Sequence, residues 1–191
     1  MTCQVPVEAR AEPFPHAVTA SFLDPELAAQ VLEWLETEAP WKLRIKDFYE
    51  QHEFELSQET LPAHLHGLIA PEALAGYIES MVAPIAPGNV HLVEATAHRL
   101  SGGQTIRIHN DYIGGAETHR LLVQLNRSWA DENGGFLMLF SSSNAKDVAR
   151  IIRPVHRSAV AFEVSPASYH AVSPTVRGER YTLVFSFRRE D

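Results

Sequence analysis

The chain has a single cysteine, Cys3, among its 191 residues, which excludes an internal disulfide framework and fits a reducing compartment. It also lacks a long apolar run, since none reaches the roughly 18 residues that a membrane-spanning helix needs. The opening stretch MTCQVPVEARAEPFP has neither the basic start nor the apolar segment of a secretory signal. A cytoplasmic location is therefore expected. Positive charge is scarce too. Lys and Arg number 16 against 24 Asp and Glu, for a net charge of −8, and no basic cluster is longer than Arg188-Arg189. Nucleic acid and anionic membranes are accordingly excluded as expected partners. Nothing in the composition sets an oligomeric state.

What is present is a chain with 45% hydrophobic residues, enough for one sizeable core and one domain over residues 1–191. Residues 1–15, with Pro6, Pro13 and Pro15, read as a loose arm leading into a first strand near 16–20. Asp24 and Pro25 look like an N-cap and first helical position, and Leu27, Val31, Leu32 and Leu35 recur at helical spacing, which predicts a helix over about 25–39. A second helix is predicted from Pro71, with Leu74, Tyr77, Ile78, Met81 and Val82 on one face, stopping before Pro84 and Pro87. Residues 40–70 show no assignable pattern.

From residue 90 the character changes to short apolar or alternating segments broken by Gly, Pro and Ser: 90–100, 104–112, 119–126, 135–141, 150–154, 158–164, 169–173 and 180–188. Short strands at this spacing predict a sandwich or jelly roll rather than βαβ units. The expected class is α+β, mainly β. A helical part, about 20–88, buttresses one sheet of a β core, about 90–188.

His109 and Asp111 are separated by one residue, so within a strand they project from the same side. His170, 61 positions later at the start of another short strand, supplies a third ligand. Two imidazoles and one carboxylate on one face of an ion form the triad of non-haem Fe(II) oxygenases, which leaves positions open for a cosubstrate and dioxygen. An isolated H-x-D is weak evidence among ten histidines. Specificity comes from Arg180, 10 residues after His170, at the head of the strand RYTLVFSF, where Arg180 and Thr182 share a face. A guanidinium matches a carboxylate with two donors, and the hydroxyl can add a third hydrogen bond to the same oxygens. The pair suits the distal carboxylate of a dicarboxylic keto acid.

These residues resemble the 2-oxoglutarate- and Fe(II)-dependent dioxygenases, in particular the prolyl hydroxylase type. The likeness runs from about Glu94 to Phe187 and rests on HND at 109–111, LLVQLNRSW at 121–129, GGFLMLF at 134–140 and HAVSPTVRGERYTLVFSF at 170–187. In that family a strand ending in Leu-Asn is followed by a Trp and then Gly-Gly, here Leu125, Asn126, Trp129, Gly134 and Gly135. The resemblance implies a double-stranded β-helix with iron at the open end of the core. It implies Fe(II), 2-oxoglutarate and O2 as cofactor and cosubstrates, with Arg180 pairing with the far carboxylate. It further places Gln124 and Leu137 along the cosubstrate pocket and Arg99 where a tyrosine is common; Gln124 too replaces a common tyrosine. Relatives that halogenate carry a small residue in place of the carboxylate, so Asp111 favours hydroxylation. The implied reaction decarboxylates 2-oxoglutarate to succinate and CO2 while an unactivated carbon of a metabolite, amino acid or prolyl-type peptide is hydroxylated.

Quieter readings stand beside these. His64 and His66 are read as loop or surface residues, and His98 as either a pocket or a satisfied core histidine. Arg107 and Arg120 fit a substrate carboxylate, but a solvated face or a salt bridge explains them more simply. Gly134 and Gly135 read as a turn and Trp129 as a packing anchor. The same oxidising chemistry could end in desaturation or cyclisation. A non-catalytic, cupin-like metal- or ligand-binding protein is the rival from another class, although such a protein has no use for the Arg180–Thr182 clamp. Substrate identity is left to residues 40–70 and to the loops at 112–118 and 141–149.

Overall fold

The computed structural model describes residues 6–86 and 88–190, so Cys3 and Pro87 lie outside the described residues. The chain opens with β1 (Glu8–Arg10) and β2 (His16–Thr19), followed by helix α1 (Pro25–Thr37). Asp24 caps α1, its carboxylate accepting from the Glu26 and Leu27 amides at 2.9 and 3.2 Å, and Pro25 occupies the position where no amide hydrogen is needed. The unassigned stretch then forms a hairpin, β3 (Lys42–Lys46) and β4 (Tyr49–Glu55), and a 3-10 helix (Ala63–Ile69). Helix α2 (Pro71–Tyr77) runs on into a π-helical turn (Ile78–Val82), close to the span expected from Pro71.

Eight strands follow: β5 (Val90–Leu100), β6 (Ile106–His109), β7 (His119–Gln124), β8 (Leu137–Phe140), β9 (Val148–Ile152), β10 (Ala159–Glu163), β11 (His170–Val172) and β12 (Arg180–Arg189). Each matches a segment foreseen from turn punctuation, whereas β1, β3 and β4 were not foreseen. All pairs are antiparallel, in the order β1-β2-β10-β7-β12-β5-β4-β6-β11-β8-β9, with β3 on the flank of β4. The path bends into two facing halves where β4 meets β6 through the single pair Tyr49 and Ile106. The result is a jelly-roll double-stranded β-helix.

Strand alternation sorts the apolar residues into two cores. Leu121, Val123, Leu125, Leu183, Phe185 and Phe187 face α1 and α2, packing with Val31, Leu32, Leu35 and Met81. The residues between them on the same strands, Leu122 and Val184, face inward with Phe162 of neighbouring β10 and meet Leu137, Leu139 and Val172 of the opposite half. The helices thus stiffen the larger sheet from outside, and its inner face is free to carry a site. Among the described residues no helix is long and apolar enough to cross a membrane.

Candidate metal centre

The register of β11 on β6 places His170 opposite His109, and their ring centroids lie 4.2 Å apart. Each imidazole has its Nδ1 tied to a backbone oxygen: His109 to Arg107 at 2.8 Å and His170 to Ser168 at 2.9 Å. Carbonyl oxygens only accept, so both Nδ1 atoms carry hydrogen and both Nε2 atoms present a lone pair. Asp111 differs from the expected strand geometry, because β6 ends at His109 and Asp111 takes a left-handed φ of 56°. Aspartate tolerates that conformation better than most residues. Neighbouring Asn110 fixes it, accepting from the Tyr112 amide at 3.2 Å and donating to the Pro166 carbonyl at 3.1 Å. The turn delivers the carboxylate Oδ2 to within 3.3 Å of His109 Nε2 and 3.1 Å of His170 Nε2.

Ligand atoms of the three residues lie within 4.8 Å of one another, a spacing and donor set that suit a divalent iron. Burial alone would raise the Asp111 carboxyl, but Arg120 and the two imidazoles outweigh it and hold the group well below the usual carboxylate range. The acid therefore presents its charged, coordinating form. Arg120 is itself held: it pairs with Asp111 through Nη1 and with Glu117 through Nε and Nη2 at 2.8 and 2.6 Å. Arg120 thus makes the salt bridges of its quieter reading.

Across the same cavity, of about 330 Å³, lies Arg180, only 3% exposed. Its Nη1 donates to Thr182 Oγ1 at 2.7 Å, and that hydroxyl donates in turn to Gln124 Oε1 at 3.0 Å. Thr182 thus orients the guanidinium, with its one hydrogen directed at Gln124 rather than at an incoming carboxylate as expected. Arg180 Nε and Nη2 have no hydrogen-bond partner among the described residues. Burial pulls the guanidinium down to about 10, so it stays charged at neutral pH. A buried cation with two idle donors and no acidic ion-pair partner among the described residues calls for an anion from outside the chain.

Residues 95–188, about half of the chain, match the family described as the 2OG-Fe(II) oxygenase superfamily. The chain belongs to that superfamily. Such an oxygenase works with Fe(II), 2-oxoglutarate and O2, and the donor triad and the idle guanidinium fit the first two. No curated protein sequence matches it significantly. Its fold is similar to that of a prolyl-4-hydroxylase from Pseudomonas putida, with a TM-score of 0.70 and 22% identity over 92% of this chain and 93% of that one. A prolyl hydroxylase from Trichoplax adhaerens, solved with a hypoxia-inducible-factor peptide fragment, gives a TM-score of 0.71 at 13% identity over 91% and 83%. HygX from Streptomyces hygroscopicus, solved with nickel and 2-oxoglutarate, gives 0.63 at 13% over 91% and 82%.

The other anticipated residues of the oxygenase divide. Leu137 lines the cavity beside Arg180. Gln124 sits behind Thr182 and is 2% exposed, so it touches the clamp but not the cavity wall. Arg99 does not reach the site. The even-numbered residues of β5 (Glu94, Thr96 and His98) line the cavity, whereas Arg99 faces outward, stacking on Trp41 at 5.1 Å and pairing with Glu179 at 3.5 Å. A shift of one residue in a strand exchanges its faces, and His98 holds the inward place. His64 and His66 lie in the 3-10 helix away from the cavity. Sequence reasoning missed the wall formed by Phe48, Tyr49, Gln51 and Glu53. It also missed the reason for Gly135: at φ +66°, a Cβ there would come within 2.9 Å of Arg180 Cδ.

Proposed function

We propose that this oxygenase holds Fe(II) with His109, Asp111 and His170, binds the distal carboxylate of 2-oxoglutarate at Arg180, and hydroxylates an unactivated carbon of a small-molecule or peptide substrate. The observation that carries the reading is the buried Arg180 guanidinium, whose Nε and Nη2 have no partner among the described residues, in the same cavity as the His-Asp-His cluster. A cupin-like binding protein has no need of it. Bound together, the iron, 2-oxoglutarate and dioxygen supply the oxidising chemistry, with succinate and CO2 as coproducts and one oxygen atom delivered to the substrate.

The chain's own part is placement and protection. The backbone carbonyls of Arg107 and Ser168 keep the two Nε2 lone pairs directed inward. Arg120 offsets the charge of Asp111 and steadies its carboxylate. The relay from Arg180 through Thr182 to Gln124 fixes the guanidinium so that Nε and Nη2 are ready for a carboxylate. Leu122, Leu137, Phe162, Val172 and Val184 keep this floor apolar, which strengthens each charge interaction and excludes bulk water. A reducing, cytoplasmic setting suits a ferrous ion. The prolyl hydroxylase relatives make prolyl peptides one substrate class to try first, alongside free amino acids and other metabolites.

Succinate release from 2-oxoglutarate, followed across such a panel with mass analysis of each product, tests the proposal. Stimulated succinate formation with an oxygen-inserted product is the expected outcome. A desaturated or cyclised product would move the reading to the other outcome of the same chemistry, and failure of the protein to bind 2-oxoglutarate at all would contradict it.

A further inference from the structure

The wall that β4 adds to the cavity is polar, and its hydrogen bonding is incomplete. Tyr49, Gln51 and Glu53 face the cavity from alternate positions of the strand. Gln51 is the most enclosed, at 2% exposure. Its Nε2 donates to Glu53 Oε2 at 2.8 Å and to His98 Nδ1 at 3.3 Å. Turning the amide over would set its oxygen against the Glu53 carboxylate, so the surroundings assign which end is which. His98 Nδ1 then accepts, and its Nε2–H donates to Thr96 Oγ1 at 3.0 Å. The ring remains neutral, since burial, with Arg120 and Arg180 nearby, pushes its pKa down to about 3. At the end of this chain Gln51 Oε1 is buried and has no partner among the described residues. It is an acceptor that lacks a donor.

Charge on the same wall points the same way. Among the described residues Glu53 has one ion-pair partner, Arg44 at 3.5 Å, whose side chain is 60% exposed. Glu94 has no ion-pair partner among the described residues. Its carboxyl is raised by burial and by Glu117, Glu53 and Glu55, against the pull of Arg120. Arg120 offers no relief, as its guanidinium is committed to Asp111 and Glu117. Three carboxylates and two guanidiniums line the cavity, and a divalent iron with a doubly charged 2-oxoglutarate leaves that balance unchanged. The loaded cavity therefore keeps an excess negative charge, beside an idle acceptor.

We infer that Gln51, Glu53 and Glu94 form a subsite for a nitrogen cation, so that the substrate of this oxygenase carries an ammonium or guanidinium group. The inference rests on the proposed function, because it takes this cavity as the place of reaction. An N–H donor would complete the hydrogen bonding of Gln51, and its charge would meet Glu53 and Glu94 in charge-assisted contacts.

Calorimetric titration of the protein loaded anaerobically with Fe(II) and 2-oxoglutarate tests it. The probes are L-lysine, L-arginine and blocked tripeptides containing each, set against their neutral counterparts with norleucine and citrulline. At least one cationic probe is expected to bind at least about 10-fold more tightly than its neutral counterpart, and Glu53→Gln and Glu94→Gln should each lower that affinity by about 10-fold. Glu50→Gln, on the opposite face of β4, should leave it unchanged. The affinity for 2-oxoglutarate, titrated separately in every variant, should equal that of the wild type. Three results would overturn the subsite: binding of no cationic probe, equal binding of cationic and neutral probes, or cation binding indifferent to both substitutions. Loss of 2-oxoglutarate binding by the wild-type protein is a separate result and would strike the proposed function itself.

Discussion

Arg120 shows how a residue on the cavity wall can serve a site through the carboxylate it holds. Its guanidinium bridges Asp111 and Glu117, with the side chain 18% exposed. Removing it would leave two carboxylates close together and without a counter-ion. Breaking a largely buried pair from one side costs on the order of 3–5 kcal/mol, reduced here by partial solvation to about 2–3 kcal/mol. Arg120→Met should therefore destabilise the metal-free protein by about that amount. With Fe(II) present the loss should shrink, because the ion takes over the charge of Asp111 and stabilises the folded state by binding it. Urea denaturation in chelator and in anaerobic Fe(II) measures both. Equal losses in the two conditions would show that Arg120 does not act through the metal-binding carboxylate.

Elements explain which parts of the molecule could be read from sequence. The strands from β5 to β12 are bounded by Gly, Pro and Ser, and most of them bury an apolar face, so their pattern survives in the sequence. β3 is exposed at every position, and the inward face of β4 carries Tyr49, Gln51 and Glu53 because it lines a polar cavity. β4 lacks apolar alternation, and β3 alternates over only five residues, with Leu43 and Ile45 left exposed, so the stretch 40–70 stayed blank. The triad was legible from spacing, although Asp111 reaches the cluster from a left-handed turn beyond the strand end. Arg99 was misplaced by one residue, which in a strand is the opposite face.

Gly135 carries a prediction at this scale. It opens the segment leading into β8 at φ +66°, and an added Cβ would lie 2.9 Å from Arg180 Cδ and 3.2 Å from Trp129 Cζ2. Gly135→Ala should cost about 1–2 kcal/mol in stability from the left-handed backbone. It should also weaken 2-oxoglutarate binding several-fold by displacing the Arg180 stem, with Fe(II) affinity unchanged. Gly103→Ala is the control, since Gly103 also has a positive φ, +89°, but an added Cβ there meets nothing within 4 Å. It should lose stability and keep its 2-oxoglutarate affinity. A Gly135→Ala protein that binds 2-oxoglutarate normally would separate the glycine from the clamp.

At the scale of the whole molecule, burying neutral histidines makes the fold sensitive to acid. Burial pushes His98 down to about 3 and His119 to about 4. The ordinary value for an unfolded histidine is 6.5. Between these values the unfolded chain binds more protons than the folded one, so stability is held above about pH 6.5 and falls as the pH drops toward 4. Each of the two histidines contributes up to about 1.4 kcal/mol per pH unit over that window. Denaturant midpoints measured from pH 7 to 4 should decline steadily, and His98→Gln should flatten part of the slope. A stability constant over this range would show that these rings protonate without unfolding the protein.

The central claim is that one cavity holds two separable binding functions, iron at the His-Asp-His cluster and a carboxylate at Arg180. Anaerobic calorimetry, with Fe(II) added first and 2-oxoglutarate second, reads both in one protein. Wild type should bind one equivalent of each. Asp111→Ala should lose most of its Fe(II) affinity. Arg180→Ala should keep Fe(II) and lose 2-oxoglutarate affinity by roughly 30-fold or more, the equivalent of at least about 2 kcal/mol for one partner of a buried charged pair. An Asp111→Ala protein with unchanged Fe(II) affinity, or an Arg180→Ala protein with unchanged 2-oxoglutarate affinity, would contradict the account.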